Sequence, residues 1–194
     1  DHGLMFHCWC LYDTLIRIPL LIKYPGDGKL VGRISDVVQN VDLFPTVLSV
    51  TGEKDSKILE QYQGNDLLGE LPSRRDPHVA ISELIKAFGP DSDAYRHLFR
   101  QFDRRLLSVR TKDNKFIYSS RGDHEFYNLQ NDPKESCNLY PHDGVPIELK
   151  EIAENYYTKM DLFYGSNSQE IDKAAESFDA DEKITEQLEA LGYL

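Results

Sequence analysis

The apolar positions fall into segments with different periods, and those periods predict the elements. Near the start, Ile18, Leu20, Leu21 and Ile22 make a short, nearly continuous apolar run closed by Tyr24-Pro25-Gly26. A run this short, rich in branched residues and ended by a turn pair, predicts a strand buried on both faces, which needs a larger sheet around it. Pro25-Gly26-Asp27-Gly28 is turn chemistry. The stretch from Val31 to Val41 is mixed, with Val37-Val38 as its apolar centre. Leu43 to Val50 then reads as a helix. Asp42 stands at its N-cap, Pro45 lies in the first turn where a missing N–H costs nothing, and Gly52 is placed to end it. Strand, connection and helix in this order are the unit of an α/β layer.

From Glu53 to Pro77 the pattern is lost. The segment is polar and turn-rich, with Gly64, Gly69 and Pro72, and predicts a long connection with little regular structure and a domain boundary. Residues 1–60 are expected to close one domain and residues 61–194 to form another. A strand is predicted over His78–Glu83. A helix is predicted over Asp91–Phe102, where Tyr95, Leu98, Phe99 and Phe102 recur at helical steps with Arg96, Arg100 and Arg104 on the other side. Strands over Arg105–Thr111 and Lys115–Ser120 flank Lys112-Asp113-Asn114, which is hairpin chemistry, and Phe126–Leu129 adds another strand. This makes a sheet of about four short strands, antiparallel because hairpin-joined. Leu149, Ile152, Tyr156, Met160 and Phe163 predict a covering helix from Ile147 to Phe163. The acidic stretch 165–182 is expected to be mobile, and a last helix is predicted over Asp181–Leu191, ended by Gly192.

Charge narrows the functional classes. The 194 residues carry a formal net charge of −11, and nucleic-acid partners need a basic face. No apolar run is long enough to span a bilayer. Cys8, Cys10 and Cys137 are an odd number of cysteines without framework spacing. His2, His7, Cys8 and Cys10 cluster as a candidate transition-metal set. However, Cys-x-Cys is not the zinc spacing Cys-x-x-Cys and there is no second knuckle, so buried or interface thiols are the competing reading. Arg96, Arg100, Arg104 and Arg105 form either an anion patch or a solvated helix face. Arg121-Gly122-Asp123, an adhesion-like tripeptide, reads as a turn between strands.

Four collinear segments carry a resemblance to the C-terminal part of the type I sulfatases, the arylsulfatase family of the alkaline phosphatase superfamily. Asp1-His2-Gly3-Leu4-Met5-Phe6-His7 followed by Leu11-Tyr12-Asp13 and Arg17-Ile18-Pro19-Leu20 resembles (E/D)HGxWxK…LYDxxxRVPL. Val41-Asp42-Leu43-Phe44-Pro45-Thr46-Val47-Leu48 with Gly52 is similar to VDLxPTLL…G. Phe126-Tyr127-Asn128-Leu129 through Asp132-Pro133-Lys134-Glu135 to Asn138-Leu139 is similar to LYDLxxDPxExxNL, and Leu188 to Leu194 to LRALGYL. The resemblance implies the last strand–helix unit of an alkaline-phosphatase-like α/β sheet, followed by an α+β subdomain with the small antiparallel sheet and covering helices.

It also implies a chemistry, the hydrolysis of sulfate monoesters. Sulfatases carry (S/T)D(H/N)G, whose Asp and His or Asn bind a divalent metal, and a few residues later (E/D)HG. The spacing to Leu11-Tyr12-Asp13 fits Asp1-His2-Gly3 to the second piece without a gap. The alternative register would make Asp1 and His2 metal ligands. In the gapless register His7 occupies the sulfate-contact position, beside the weaker candidate His2. A cationic or proton-donating group there would stabilise the charge that develops on the leaving oxygen. Arg110 and Lys115 flank a hairpin near which sulfatases present residues to the substrate mouth. The Ca²⁺ and the formylglycine nucleophile, made from a Cys or Ser in C/S-x-P-x-R, have no counterpart motif in this sequence. This chain by itself is therefore expected to be inactive, with the nucleophile, most metal ligands and most of the parallel sheet upstream. Cut from that sheet, the run Ile18–Ile22 is expected to favour self-association or local disorder before residue 60. A phosphonate monoester hydrolase or phosphodiesterase of the same superfamily, and a non-catalytic binding module, are the rival readings.

Overall fold

The computed structural model describes residues 2–3, 9–23, 32–53, 55–69, 71–76, 78–85, 102, 104–142 and 144–160. The chain divides into two compact units, Asp1–Ala153 and Glu154–Leu194. The first is organised on a four-stranded antiparallel sheet in the order β1-β2-β3-β4, made of β1 (Ala80–Leu84), β2 (Leu106–Arg110), β3 (Asn114–Ser119) and β4 (Glu125–Asn128). These are the strands that the alternating pattern predicts, with ends moved by one or two residues.

The β2–β3 hairpin closes at Thr111, whose N–H donates to the Asn114 carbonyl at 2.8 Å and whose hydroxyl accepts the Asn114 N–H at 3.0 Å. Lys112 and Asp113 therefore form the tip, as their composition predicts. The register puts Leu106 opposite Ser119, Ser108 opposite Ile117, and Arg110 opposite Lys115. Directly opposed residues share a sheet face. One face thus carries Leu84, Leu106, Ile117 and Tyr127 together with Arg110, Lys115 and Glu125. The other carries Leu107, Val109, Phe116 and Phe126. Leu106, Leu107, Val109, Phe116 and Ile117 are at most 1% exposed. Full burial stabilises by about 1.5–3 kcal/mol per such side chain, which makes β2 and β3 the stability centre of the unit.

The first face is covered by the N-terminal segment. Leu11 is buried in one cluster with Leu106, Ile117, Tyr127 and Leu129, with Tyr12, Ile16 and Leu84 packed against it. Asp13–Ile16 is a single helical turn, α1, in which the Leu15 and Ile16 N–H groups donate to the Tyr12 carbonyl at 2.9 and 3.0 Å. It ends at Arg17, which is extended, one residue before the pre-proline position Ile18, where a helix is disfavoured.

Past Arg17 the structure departs from the pattern. Ile18–Ile22 forms no strand and is not buried. It has no ladder partner among the described residues, and Leu21 is 90% exposed. An apolar run becomes a buried strand only where neighbouring strands satisfy its backbone and cover its faces, and the described residues offer none.

Helix α2 (Leu43–Thr51) lies where the sequence places it. It ends at Gly52, whose φ of 67° is the left-handed conformation that glycine adopts without cost. Its start differs from expectation, because Asp42 makes no side-chain cap to this helix. Asp42 lies in a preceding 3-10 turn, Asn40–Asp42, fully buried, and its carboxylate accepts the Gln39 N–H at 2.8 Å and the Asn65 N–H at 2.7 Å. It also pairs with the Arg75 guanidinium. A buried carboxylate needs a cation and several donors, and these come from the connection that follows. That connection is mostly turns, with one short helix, α3 (Ser56–Leu59). It passes so close to the 3-10 turn before α2 that a Cβ on Gly64 would sit 2.1 Å from the Val41 carbonyl oxygen. Pro45, Thr46 and Leu48 are the buried side of α2, whereas Leu43, Phe44, Val47 and Val50 are exposed.

Residues 147–160 form helix α4. Leu149 and Ala153 are its buried positions in the first unit, and Met160 in the second. The helices predicted over Asp91–Phe102 and Asp181–Leu191, Phe163, and the acidic stretch 165–182 lie outside the described residues, apart from Phe102. No helix among the described residues is long and apolar enough to cross a membrane.

Candidate functional site

The N-terminal segment carries the candidate residues, and a set of buried charges fixes it to the sheet. Lys115 leaves β3 on the face that the segment covers. It is fully buried, and its Nζ lies 2.9 Å from Asp13 Oδ1 and 2.6 Å from Glu135 Oε1. Arg110, opposite it on β2, reaches the same Asp13 with Nε at 3.2 Å from both carboxylate oxygens and Nη2 at 3.0 Å from Oδ2. The other Glu135 oxygen accepts the Asp13 backbone N–H at 2.6 Å. Asp13 is thus held by its main chain and its side chain at once. Burial pushes its carboxyl up, but the hydrogen bonds from Arg110 and Lys115 outweigh burial and hold it below the ordinary carboxylate range.

The loop after β4 exists to deliver Glu135. The Asn128 Oδ1 accepts the Gln130 and Asn131 N–H groups at 3.1 Å, and the Asn128 carbonyl accepts the Asp132 N–H at 2.8 Å. Asp132 accepts the Cys137 N–H at 2.8 Å across the turn. Glu135 itself has φ 54°, a left-handed conformation that costs a side-chain-bearing residue about 1–2 kcal/mol. Its buried bonds to Lys115 and Asp13 offset that strain. Farther on, Asn138 Oδ1 accepts the Phe126 N–H at 2.9 Å and secures the outer edge of β4. Asp132, Glu135 and Asn138 thus share the work of one loop.

Tyr12 is held just as tightly. Its hydroxyl donates to Glu125 Oε2 at 2.8 Å, and the Tyr127 hydroxyl donates to the same oxygen at 2.6 Å. Burial, followed by the adjacent Glu125 carboxylate, pushes both phenols well above their ordinary range, so each remains a proton donor. The His2 ring stacks on the Tyr12 ring at 3.7 Å between centroids and 11° between planes. His2 has φ 55°, left-handed like Gly3 after it. Among non-glycine residues this conformation persists where the surroundings impose it. Burial pushes Asp132 up, but backbone hydrogen bonds and the nearby His2 outweigh that and hold its carboxyl low, so His2 lies within electrostatic reach of the Asp132 loop. On the other side of Leu11, Cys10 is a buried free thiol that burial pushes up, and Trp9 stacks on Phe102 at 5.0 Å and 14°.

Of the residues predicted from sequence, His2 is placed on Tyr12, while Asp1, His7 and Cys8 lie outside the described residues. Arg110 and Lys115 are both engaged with Asp13. Arg104 pairs with Asp123 and lies 3.8 Å from Glu125, and Gly122 makes the turn expected of Arg121-Gly122-Asp123 with φ 81°. No trio of His, Cys, Asp and Glu among the described residues is arranged to hold a metal ion. A separate cavity of about 240 Å³ is lined by Asp36, Val37, His78, Thr111, Lys112 and Asp113, none of them a predicted site residue.

The sequence reading named Lys115 and Glu135 but did not find the anchoring roles of Glu135, Lys115, Glu125, Tyr12 and Asp13. One signal was available. Lys115 and Arg110 occupy positions of two strands whose alternation assigns them to a covered face, and a charge on such a face needs a buried partner.

Residues 1–161 match the family described as N-sulphoglucosamine sulphohydrolase, C-terminal. An ulvan-active sulfatase of Formosa agariphila is 29% identical over 72% of this chain and 27% of its own length. An arylsulfatase of Clostridium perfringens is 29% identical over 72% of this chain and 28% of its own. An N-acetylglucosamine-6-O-sulfatase of Bacteroides thetaiotaomicron is 27% identical over 79% of this chain and 26% of its own. The chain spans about a quarter of the length of these curated relatives.

Proposed function

The chain belongs to the family N-sulphoglucosamine sulphohydrolase, C-terminal, and on that premise we propose that the protein carrying it hydrolyses sulfate monoesters to alcohol and sulfate. The observation that carries this reading is the match over residues 1–161, which takes in both the (E/D)HG-like segment and the sheet that anchors it. In the proposal residues 1–60 complete the catalytic α/β domain and residues 61–194 form the C-terminal subdomain.

His7 would face the sulfate. Cleavage of the S–O bond leaves negative charge on the ester oxygen, and an imidazolium there neutralises that charge and supplies the proton of the alcohol. His2, stacked on Tyr12, would line the same site or, in the alternative register, bind metal with Asp1. Formylglycine and a divalent cation such as Ca²⁺ are assigned to the part of the protein preceding this chain. That part would also cover the apolar surface left open by Leu20, Leu21, Phe44 and Val47, all exposed here.

The test uses the intact protein and a panel of aryl sulfate, sugar sulfate, phosphonate monoester and phosphodiester substrates. Turnover of sulfate esters, reduced about 100-fold or more by His7→Ala, is expected. Phosphonate or phosphodiester turnover with negligible sulfate turnover would replace the reading. No turnover of any substrate would favour a binding module.

A further inference from the structure

We propose that Lys115 and Glu135 are positioning residues for the hydrolysis, holding, through Asp13 and Tyr12, the ring surface on which His2 lies; this rests on the sulfatase reading above. Glu135 and Lys115 grip Asp13 from two directions, Glu135 at the backbone N–H (2.6 Å) and Lys115 at the carboxylate (2.9 Å), and they form an ion pair with each other at 2.6 Å. Arg110 takes the remaining side of the carboxylate. With Asp13 fixed, Tyr12 cannot rotate away, and its hydroxyl is tied to Glu125, which Tyr127 holds from β4. The Tyr12 ring is the surface on which His2 lies. A continuous chain of contacts therefore runs from the interior of the sheet to the imidazole.

Stability alone does not account for these charges. An ammonium and carboxylates taken out of water pay for desolvation, and apolar side chains of similar volume seal a sheet as well or better. What the charged set adds is direction. Carboxylates and guanidinium bond in fixed planes, so Asp13 has one permitted orientation and Tyr12 beside it one permitted position. None of these residues touches the substrate in this proposal. They act on its neighbours.

The experiment compares Lys115→Met, Glu135→Gln and Asp13→Asn, with the double variant Asp13→Asn/Lys115→Met, in the intact protein on an aryl sulfate. Folding is monitored by circular dichroism and thermal melting. Glu135→Gln is nearly isosteric and keeps the test valid if Lys115→Met does not fold. The expected result is a fall in kcat of about 10- to 100-fold per folded molecule with KM changed less than about 2-fold, the signature of a displaced reacting group. The double variant is expected to be no worse than the worse single one, because both residues act through the same link. A lowered melting temperature with full kcat would overturn the inference, as would losses that multiply in the double variant. Absence of sulfate turnover by the unmodified protein would sink the sulfatase reading and this inference with it. Normal turnover together with unaffected variants sinks the inference alone.

Discussion

Two neighbouring stretches of one chain, residues 9–16 and 17–23, have similar apolar content and opposite fates. The first is sealed on a sheet face: Trp9, Cys10 and Leu11 are at most 9% exposed. The second lies open, with Ile18 61% and Leu21 90% exposed. Hydrophobicity does not separate them. Residues 9–16 have a partner surface within the chain, with Leu106, Ile117 and Tyr127 for the apolar groups and Lys115, Arg110 and Glu125 for the polar ones. Residues 17–23 have no ladder partner among the described residues, and a strand without neighbours leaves its backbone groups to water.

The sharpest way to break the contrast is Lys115→Ala. It leaves the buried carboxylates of Asp13 and Glu135 facing one another, and a loss of about 3–5 kcal/mol in unfolding free energy is expected from the denaturant midpoint. Gly64→Ala tests a second anchoring contact outside both stretches. Its Cβ would meet the backbone carbonyl of Val41, which no rotamer change relieves, and a loss of about 1–3 kcal/mol is expected in the same measurement.

Acid attacks only the anchored stretch. The Asp13 carboxyl titrates below its unfolded value of about 3.9. Its contribution is therefore complete above that value and is lost as pH falls through the folded one. Stability measured from pH 6 downward should fall more gently below about pH 4 in Asp13→Asn than in the unmodified chain. If the two acid limbs coincide, Asp13 does not carry the linkage. Tyr12→Phe removes one donor from Glu125 and leaves Tyr127 in place, so only about 1 kcal/mol is expected. Leu21→Ser, on the open stretch, should change stability by less than about 0.5 kcal/mol. The same substitution should reduce self-association of the isolated chain in sedimentation velocity, and a shift in stability comparable to that of Tyr12→Phe would mean the stretch is packed after all.

What could be read from the sequence followed local rules. The β2–β3 hairpin, the strands either side of it and the stop of α2 at Gly52 all depend on residues close together in the chain. Partnerships across long separations could not be read. Asp42 presents a helix N-cap signature, yet its carboxylate is taken by Arg75 and Asn65, which bind it more completely than a cap would. Asp13 meets Lys115 from 102 residues away and Glu135 from 122, and no spacing rule reports such a meeting. The run Ile18–Ile22 forms no strand here, because a pattern records the need for burial and not the presence of something to bury against. Of the predicted site residues, His2 is placed, and Asp1 and His7 lie outside the described residues.

Trp9 is the single tryptophan of the 194 residues, and it lies in the anchored stretch, 8% exposed and stacked on Phe102. The chain therefore carries its own optical gauge. Excited selectively in the 194-residue chain, Trp9 emits from the segment between His7 and Tyr12 and from nowhere else. A red shift of its emission, or easier quenching by acrylamide, would signal release of that segment while the amide circular dichroism of the sheet is still unchanged.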